Sequence, residues 1–207
     1  MAEAARELTR RERRKLEVRT RIVEAAAELF DADGVHDTTV AAIAERADVA
    51  SKTFFNYFPA KQDVVRALAE ESLEDLLESI EAAHRGQSTT AARLKTFFDD
   101  VATYGVDAGP MHRELLTEII HAAQRAGEEE SARRLHDAFA SIVRDGVAAG
   151  EVTRRHTQRT LTEMIVGAYY ALMFNAANIE NYPLERQARA AADFLVAAIA
   201  PDPNEEN

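Results

Sequence analysis

Cysteine is absent from the 207 residues. That excludes a disulfide framework, a thiolate metal site and a cysteine nucleophile. Long apolar runs are missing too: the longest, residues 166–174 (VGAYYALMF), falls short of the ~18 residues of a membrane span, so no membrane partner is expected. The early segment ELTRRERRK has none of the apolar core of a secretory signal, and a cytoplasmic location is expected. No alternating apolar/polar run and no Asn-Gly or Asp-Gly hairpin signal offers material for a sheet. Neither a glycine-rich phosphate loop, nor Gly-x-Ser-x-Gly, nor His-Glu-x-x-His occurs, so no catalytic set and no cofactor is expected.

What is present reads as helix from one end to the other, and the expected fold class is all-α. Apolar periodicity with Gly and Pro stops predicts nine helices, over about 9–32, 40–47, 51–58, 61–84, 90–106, 111–125, 128–149, 157–179 and 184–200. No internal repeat and no low-complexity linker interrupts them, so the helix starting at Lys61 is expected to join two domains directly.

The densest signal lies at residues 39–61, TVAAIAERADVASKTFFNYFPAK. Val40, Ile43, Ala44 and Ala47 fall at i, i+3, i+4 and i+7, one buried stripe of a short helix. Thr39 precedes it as an N-cap, where free amides and the helix dipole favour a phosphate. Asp48-Val49-Ala50 form a three-residue turn. A second short helix follows and stops at Pro59. Phe54 and Phe58, four apart, face inward with Val49, which leaves Ser51, Lys52, Thr53, Phe55, Asn56 and Tyr57 on the outer faces. The polar members of that set can bond phosphates or base edges. Two short helices around a tight turn are the layout of a DNA-reading helix-turn-helix. The spacing by itself also fits two ordinary surface helices of an all-α domain.

The net charge of −11 runs against a nucleic-acid partner until the chain is divided. Residues 1–61 hold 11 basic and 11 acidic side chains, and residues 62–207 hold 14 and 25, so the second part carries the whole excess. Arg6, Arg10, Arg11, Arg13, Arg14, Lys15, Arg19 and Arg21 are bunched within the first part. A basic arm beside a helix-turn-helix can meet phosphates, with the acidic body pointing away.

Over residues 20–65 the sequence resembles the TetR family of transcriptional repressors. Ile22-Val23-Glu24-Ala25-Ala26 and Leu29-Phe30 resemble the family's first helix. Gly34-Val35 through Thr38-Thr39-Val40 resemble the loop that follows, and Ile43-Ala44-Glu45-Arg46-Ala47 its second helix. Thr53-Phe54-Phe55-Asn56-Tyr57-Phe58-Pro59-Ala60-Lys61 resembles the recognition helix and the start of the fourth. Four positions depart from the pattern. Asp48 stands where Gly is usual, and tolerates the left-handed backbone better than most residues. Ala50 stands where Ser caps the recognition helix, a loss of ~1 kcal/mol unless Ser51 takes the role. Phe55 stands where a phosphate-binding Tyr is frequent, and Ala60 replaces a frequent Ser cap.

The resemblance implies a DNA-binding domain over residues 1–60 and an effector-binding and dimerisation domain over 61–207. Lys52 and Asn56 are then the candidates for base edges. Thr39, Thr53, Tyr57 and Lys61 are the candidates for phosphates, with Ser51 and Phe55 on the same surface. A palindromic double-stranded operator and release by a small effector are implied with them.

The last two predicted helices carry more apolar surface than one core needs. Leu161, Ile165, Ala168, Leu172 and Ala176 form one stripe, and Gly167 and Ala171 permit close approach. Ala188, Ala191, Ala192, Leu195 and Ile199 form another. In the resembled family these two helices form a two-fold four-helix dimer interface, so a homodimer is expected. A dimer also suits DNA reading, because one helix-turn-helix reads too few base pairs to be selective. The family further implies an effector pocket. Its candidate lining is Phe97, Phe98, Tyr104, Met111, His112, Leu115, Ile119, Phe139, Tyr169, Tyr170, Met173 and Phe174, an apolar and aromatic set suited to an apolar or aromatic ligand.

Two rival readings come from other classes. A helical adaptor that binds protein alone would share the fold and fail to bind duplex DNA. A metal-dependent helical-bundle enzyme is suggested by Glu81-Ala-Ala-His84 and Glu118-Ile-Ile-His121, the Glu-x-x-His spacing of di-iron bundles. The two further bridging glutamates of such a site are not evident, so no metal ligand is assigned.

Overall fold

A computed structural model of the chain describes residues 9–104 and 129–201. Among the described residues there are eight α-helices and no strand: α1 (Arg10–Asp37), α2 (Val40–Arg46), α3 (Ser51–Tyr57), α4 (Lys61–Gly86), α5 (Thr90–Tyr104), α6 (Glu129–Ala148), α7 (Gln158–Asn178) and α8 (Leu184–Ile199). The helix expected over 111–125 lies outside the described residues. None of the described helices is long and apolar enough to cross a membrane.

The helix ends have local causes. Thr9 and Glu12 form a reciprocal capping box at the start of α1. The Thr9 hydroxyl accepts from the Glu12 N–H at 3.2 Å, and the Glu12 carboxylate accepts from the Thr9 N–H at 2.8 Å. Bonding to the Thr9 backbone, then to its hydroxyl, holds the Glu12 carboxyl below the usual carboxylate range. Gly34 breaks the regular helix with φ 81°, a backbone that side-chain-bearing residues rarely adopt, and a last turn to Asp37 follows it. Thr157 caps α7 by accepting from the Thr160 N–H at 3.1 Å.

The chain divides into two compact units, one running to Leu68 and a second from Ala69 onward, with α4 passing through the division. In the first unit, α1 contributes Ile22, Val23, Ala25, Ala26 and Phe30 to a core completed by Ile43, Ala44, Phe54, Phe58, Val64 and Val65. In the second, α5 packs against α8 and α6 against α7. Phe97, Phe98, Phe139, Leu94, Leu135, Ile142 and Ile165 are fully buried there. Each such side chain contributes about 1.5–3 kcal/mol on burial. Gly146 on α6 is required by close approach, since a Cβ at that point would collide with Thr90 and Val152.

Candidate nucleic-acid interface

The turn between α2 and α3 closes as a Schellman motif. The Val49 N–H donates to the Ala44 carbonyl at 2.9 Å and the Asp48 N–H to the Glu45 carbonyl at 3.1 Å. Asp48 takes the left-handed position with φ 53°, the role that the sequence assigns it in place of glycine. Thr39 caps α2, its hydroxyl accepting from the Ala42 N–H at 3.1 Å, and stays exposed at that helix's start. A salt bridge from Glu28 of α1 to Arg46 of α2 pins the second helix from outside, with Arg46 Nε donating at 2.7 Å.

The orientation of α3 is set by its aromatics. Phe54 and Phe58 are buried, their ring centroids 6.0 Å apart, and Phe55 meets the Phe54 ring edge-on at 5.5 Å. The Arg19 guanidinium of α1 lies 5.2 Å from the centre of the Phe58 ring, a cation–π contact of about 0.5–1 kcal/mol. With those rings inside, Ser51, Lys52, Phe55 and Asn56 are exposed, and Thr53 and Tyr57 are half-buried. Four of the six residues that spacing places outward are thus exposed, with Phe55 at 51% where a phenol would have added a hydroxyl. Ser51 does not take over the missing cap: no side chain caps α3, and the Ala50 carbonyl accepts from the Thr53 and Phe54 N–H groups at 2.7 and 3.1 Å.

Lys61 departs from expectation. Its ammonium donates to the Thr38 carbonyl at 2.7 Å, to the His36 carbonyl at 3.3 Å and to the Val35 carbonyl. Three carbonyls at the end of α1 thereby occupy a group expected on phosphates. Nearby, the Asp63 carboxylate accepts from the Ala60 N–H at 2.8 Å and supplies half of the cap that Ala60 lacks.

The second unit distributes its candidates differently from the sequence reading. Phe97, Phe98 and Phe139 are wholly buried, with Phe97 edge-on to Phe98 at 5.2 Å and to Phe139 at 4.9 Å. Tyr169 and Met173 are buried beside them, and Tyr170 is half-buried. Burial pushes the Tyr169 hydroxyl well above the usual phenol range, with a smaller contribution from Tyr170. Phe174 does not belong to this cluster, being 54% exposed. Met111, His112, Leu115 and Ile119 lie outside the described residues, as does the Tyr104 side chain.

Most of the expected dimer stripe faces inward. Leu161, Ile165, Leu172, Ala188 and Leu195 are buried in the chain's own core, and Ala168 and Ala191 are half-buried against it. Of the residues expected there, Gly167 and Ala171 are the exposed ones. The outward stripe of α7 is Met164, Gly167, Ala171 and Phe174, and α8 adds Phe194 at 71% exposure. The signal for this lay in α7 being apolar on all sides, which marks a surplus face without saying which stripe it is.

Glu81 and His84 have partners of their own. Glu81 accepts from Arg85 at 2.9 Å, and His84 Nε2 lies 2.9 Å from Asp145. Among the described residues no three metal-capable side chains gather, and Glu118 and His121 lie outside them.

Comparison with known proteins places the helix-turn-helix in a family. A family model described as bacterial regulatory proteins, tetR family, matches residues 22–68. The fatty acid metabolism regulator protein of Bacillus subtilis (strain 168) is 23% identical over 183 residues, covering 86% of this chain and 93% of that one. The HTH-type transcriptional repressor KstR of Mycolicibacterium smegmatis is 30% identical over 139 residues, 66% of this chain and 65% of its own. Among solved structures, Thermus thermophilus FadR, a TetR-family repressor in complex with lauroyl-CoA, superposes with a TM-score of 0.68. It is 21% identical, and the match covers 91% of this chain and all of that one.

Proposed function

The chain belongs to the TetR family of bacterial regulatory proteins and is a transcriptional regulator, and on that premise we propose that it represses as a homodimer on a palindromic operator until a small apolar effector releases it. The observation that carries the DNA reading is the outer face of α3. Phe54 and Phe58 hold the helix, and Lys52 and Asn56 stand clear of the core at its surface. Lys52 and Asn56 read base edges. Ser51, Thr53 and Tyr57 bond phosphates beside them, and Thr39 adds a contact at the start of α2. Lys61 acts by fixing the end of α1 through its carbonyl contacts.

The effector carries an apolar chain or ring, and a fatty acyl thioester, apolar in its acyl part, is the class to test first. Its support is the pair of similar FadR structures, whose bound molecules are stearoyl-CoA and lauroyl-CoA. Release requires the ligand to bind the form that does not fit DNA more tightly than the form that does. A coupling of ~1–3 kcal/mol is typical, roughly 5–150-fold in operator affinity. The motion runs through α4, which is continuous from Lys61 to Gly86 and leaves no linker to absorb it.

The test is a mobility shift on the duplex upstream of the protein's own gene, with lauroyl-CoA, stearoyl-CoA, the free acids and coenzyme A added in turn. The proposal predicts a shifted band that one or both thioesters dissolve and coenzyme A does not. A band unaffected by every acyl compound contradicts the effector class, and no band at all contradicts the operator.

A further inference from the structure

We propose that the first three turns of α1 form a second DNA contact, a cationic strut that grips phosphates flanking the half-site read by α3. This inference rests on the DNA-binding reading and extends it to residues outside the family match, which begins at residue 22.

Burial on α1 also begins at Ile22, so the helix continues for twelve residues before it with no fully buried side chain. That length spans roughly 17 Å. Over residues 9–21 there are seven basic side chains against two acidic ones, in a chain of net charge −11. One of the two acids, Glu12, is committed to the capping box. Arg10, Arg11, Arg13, Arg14, Lys15 and Arg21 are all exposed, and none has a carboxylate at ion-pair distance among the described residues.

The placement opposes ordinary helix stability. Cations in the first turn face the positive end of the helix dipole, which disfavours them. Arg10, Arg11 and Arg13 accept that cost with no ion-pair partner among the described residues, as functional side chains do. An anionic polymer repays it. One strand presents a phosphate about every 3.4 Å of duplex axis, so a strut lying along that axis passes about five. Arg19 fixes the strut's inner end beside the reading head, through its contact with Phe58 at the end of α3. A membrane surface fits less well: in residues 9–21 only Leu16 and Val18 are apolar, too little for an interfacial helix to bury.

The test uses the full-length protein and the operator it selects from a random duplex library. That operator is prepared trimmed to the selected sequence and again with roughly 10 base pairs of mixed flank on each side. Binding is measured across a salt series for the wild type and for two variants, with Arg10, Arg11, Arg13 and Arg14 changed together to Gln or together to Lys. The expected result is roughly a tenfold or greater gain from the flanks in the wild type and the lysine variant, and none in the glutamine variant. On flanked DNA the glutamine variant's salt slope falls by about 2 or more, ~0.9 for each lost phosphate. All three proteins bind the trimmed duplex alike. Equal flank gains in wild type and glutamine variant overturn the strut while leaving the reading head intact. So does a wild type that gains nothing from flanks but sediments with anionic phospholipid vesicles. Failure of the wild type to select any sequence overturns the DNA-binding reading itself, and the strut with it.

Discussion

The ammonium of Lys61 sits 2.7 Å from the carbonyl of Thr38, tying the first residue of α4 to the residue that ends α1. Two more carbonyls of that end, those of Val35 and His36, share the same nitrogen. Gly34 makes the cluster possible, because its left-handed backbone turns the last residues of α1 off the helix axis.

Replacing Lys61 by Ala is therefore expected to act on stability first. Carbonyls that lose a charged donor cost about 1–3 kcal/mol. Denaturant unfolding of Lys61→Ala should show that loss, and the salt slope of operator binding should stay at the wild-type value. A flattened slope with unchanged stability would return Lys61 to the phosphates.

Lys52 and Asn56 should behave differently from Tyr57. Lys52→Ala or Asn56→Ala is expected to cost about 1–3 kcal/mol on the preferred operator and to relax specificity at the contacted base pair. Tyr57→Phe should weaken all duplexes alike. Fluorescence anisotropy on the selected operator and on a scrambled duplex separates the two patterns. Equal losses on both duplexes for Lys52→Ala would remove it from base reading.

Charges on the outward and inward stripes of the last two helices should have opposite consequences. Phe194→Glu or Ala171→Glu places a carboxylate on an exposed surface and is expected to give folded monomers by sedimentation velocity, with helical circular dichroism retained. Leu195→Glu, one residue away, buries the charge in the core and should unfold the second unit. A Phe194→Glu protein that stays dimeric would contradict this face as the interface.

These outcomes also mark where the sequence was readable. Ile43, Ala44, Phe54 and Phe58 were legible because a short helix packed on one side has a single apolar stripe, and period alone fixes which residues go inward. Asp48 was legible because few residues accept a positive φ. The contacts of Lys61 were not, since its acceptors lie 23 to 26 residues away and converge only after Gly34 bends the chain. The phase of α7 was not legible either. Leu161, Ile165 and Leu172 on one side and Met164 and Phe174 on the other are equally apolar. Only packing against α6 and α8 decides which stripe faces inward.

Acid should weaken the second unit through Glu151. Its carboxylate accepts from the Thr90 N–H at 2.6 Å and the Thr90 hydroxyl at 2.8 Å, at the start of α5. These bonds, the backbone one first, and then the nearby Arg93 charge hold its carboxyl below the usual range. A lowered folded pKa gives stability that is complete above the unfolded value of about 4.3 and is lost as pH falls from there through the folded value. Glu151→Gln should be less stable than wild type at pH 7, and the difference should shrink below about pH 4. A constant difference across that range would remove the ionised carboxylate from the account.

Selection of duplexes from a random library by the full-length protein tests the central claim most directly. The account predicts enrichment of one palindromic sequence, with half-sites about one helical turn or a multiple of it apart, and loss of that enrichment in Lys52→Ala. Recovery of unrelated sequences, or of the same palindrome by Lys52→Ala with undiminished affinity, would contradict it.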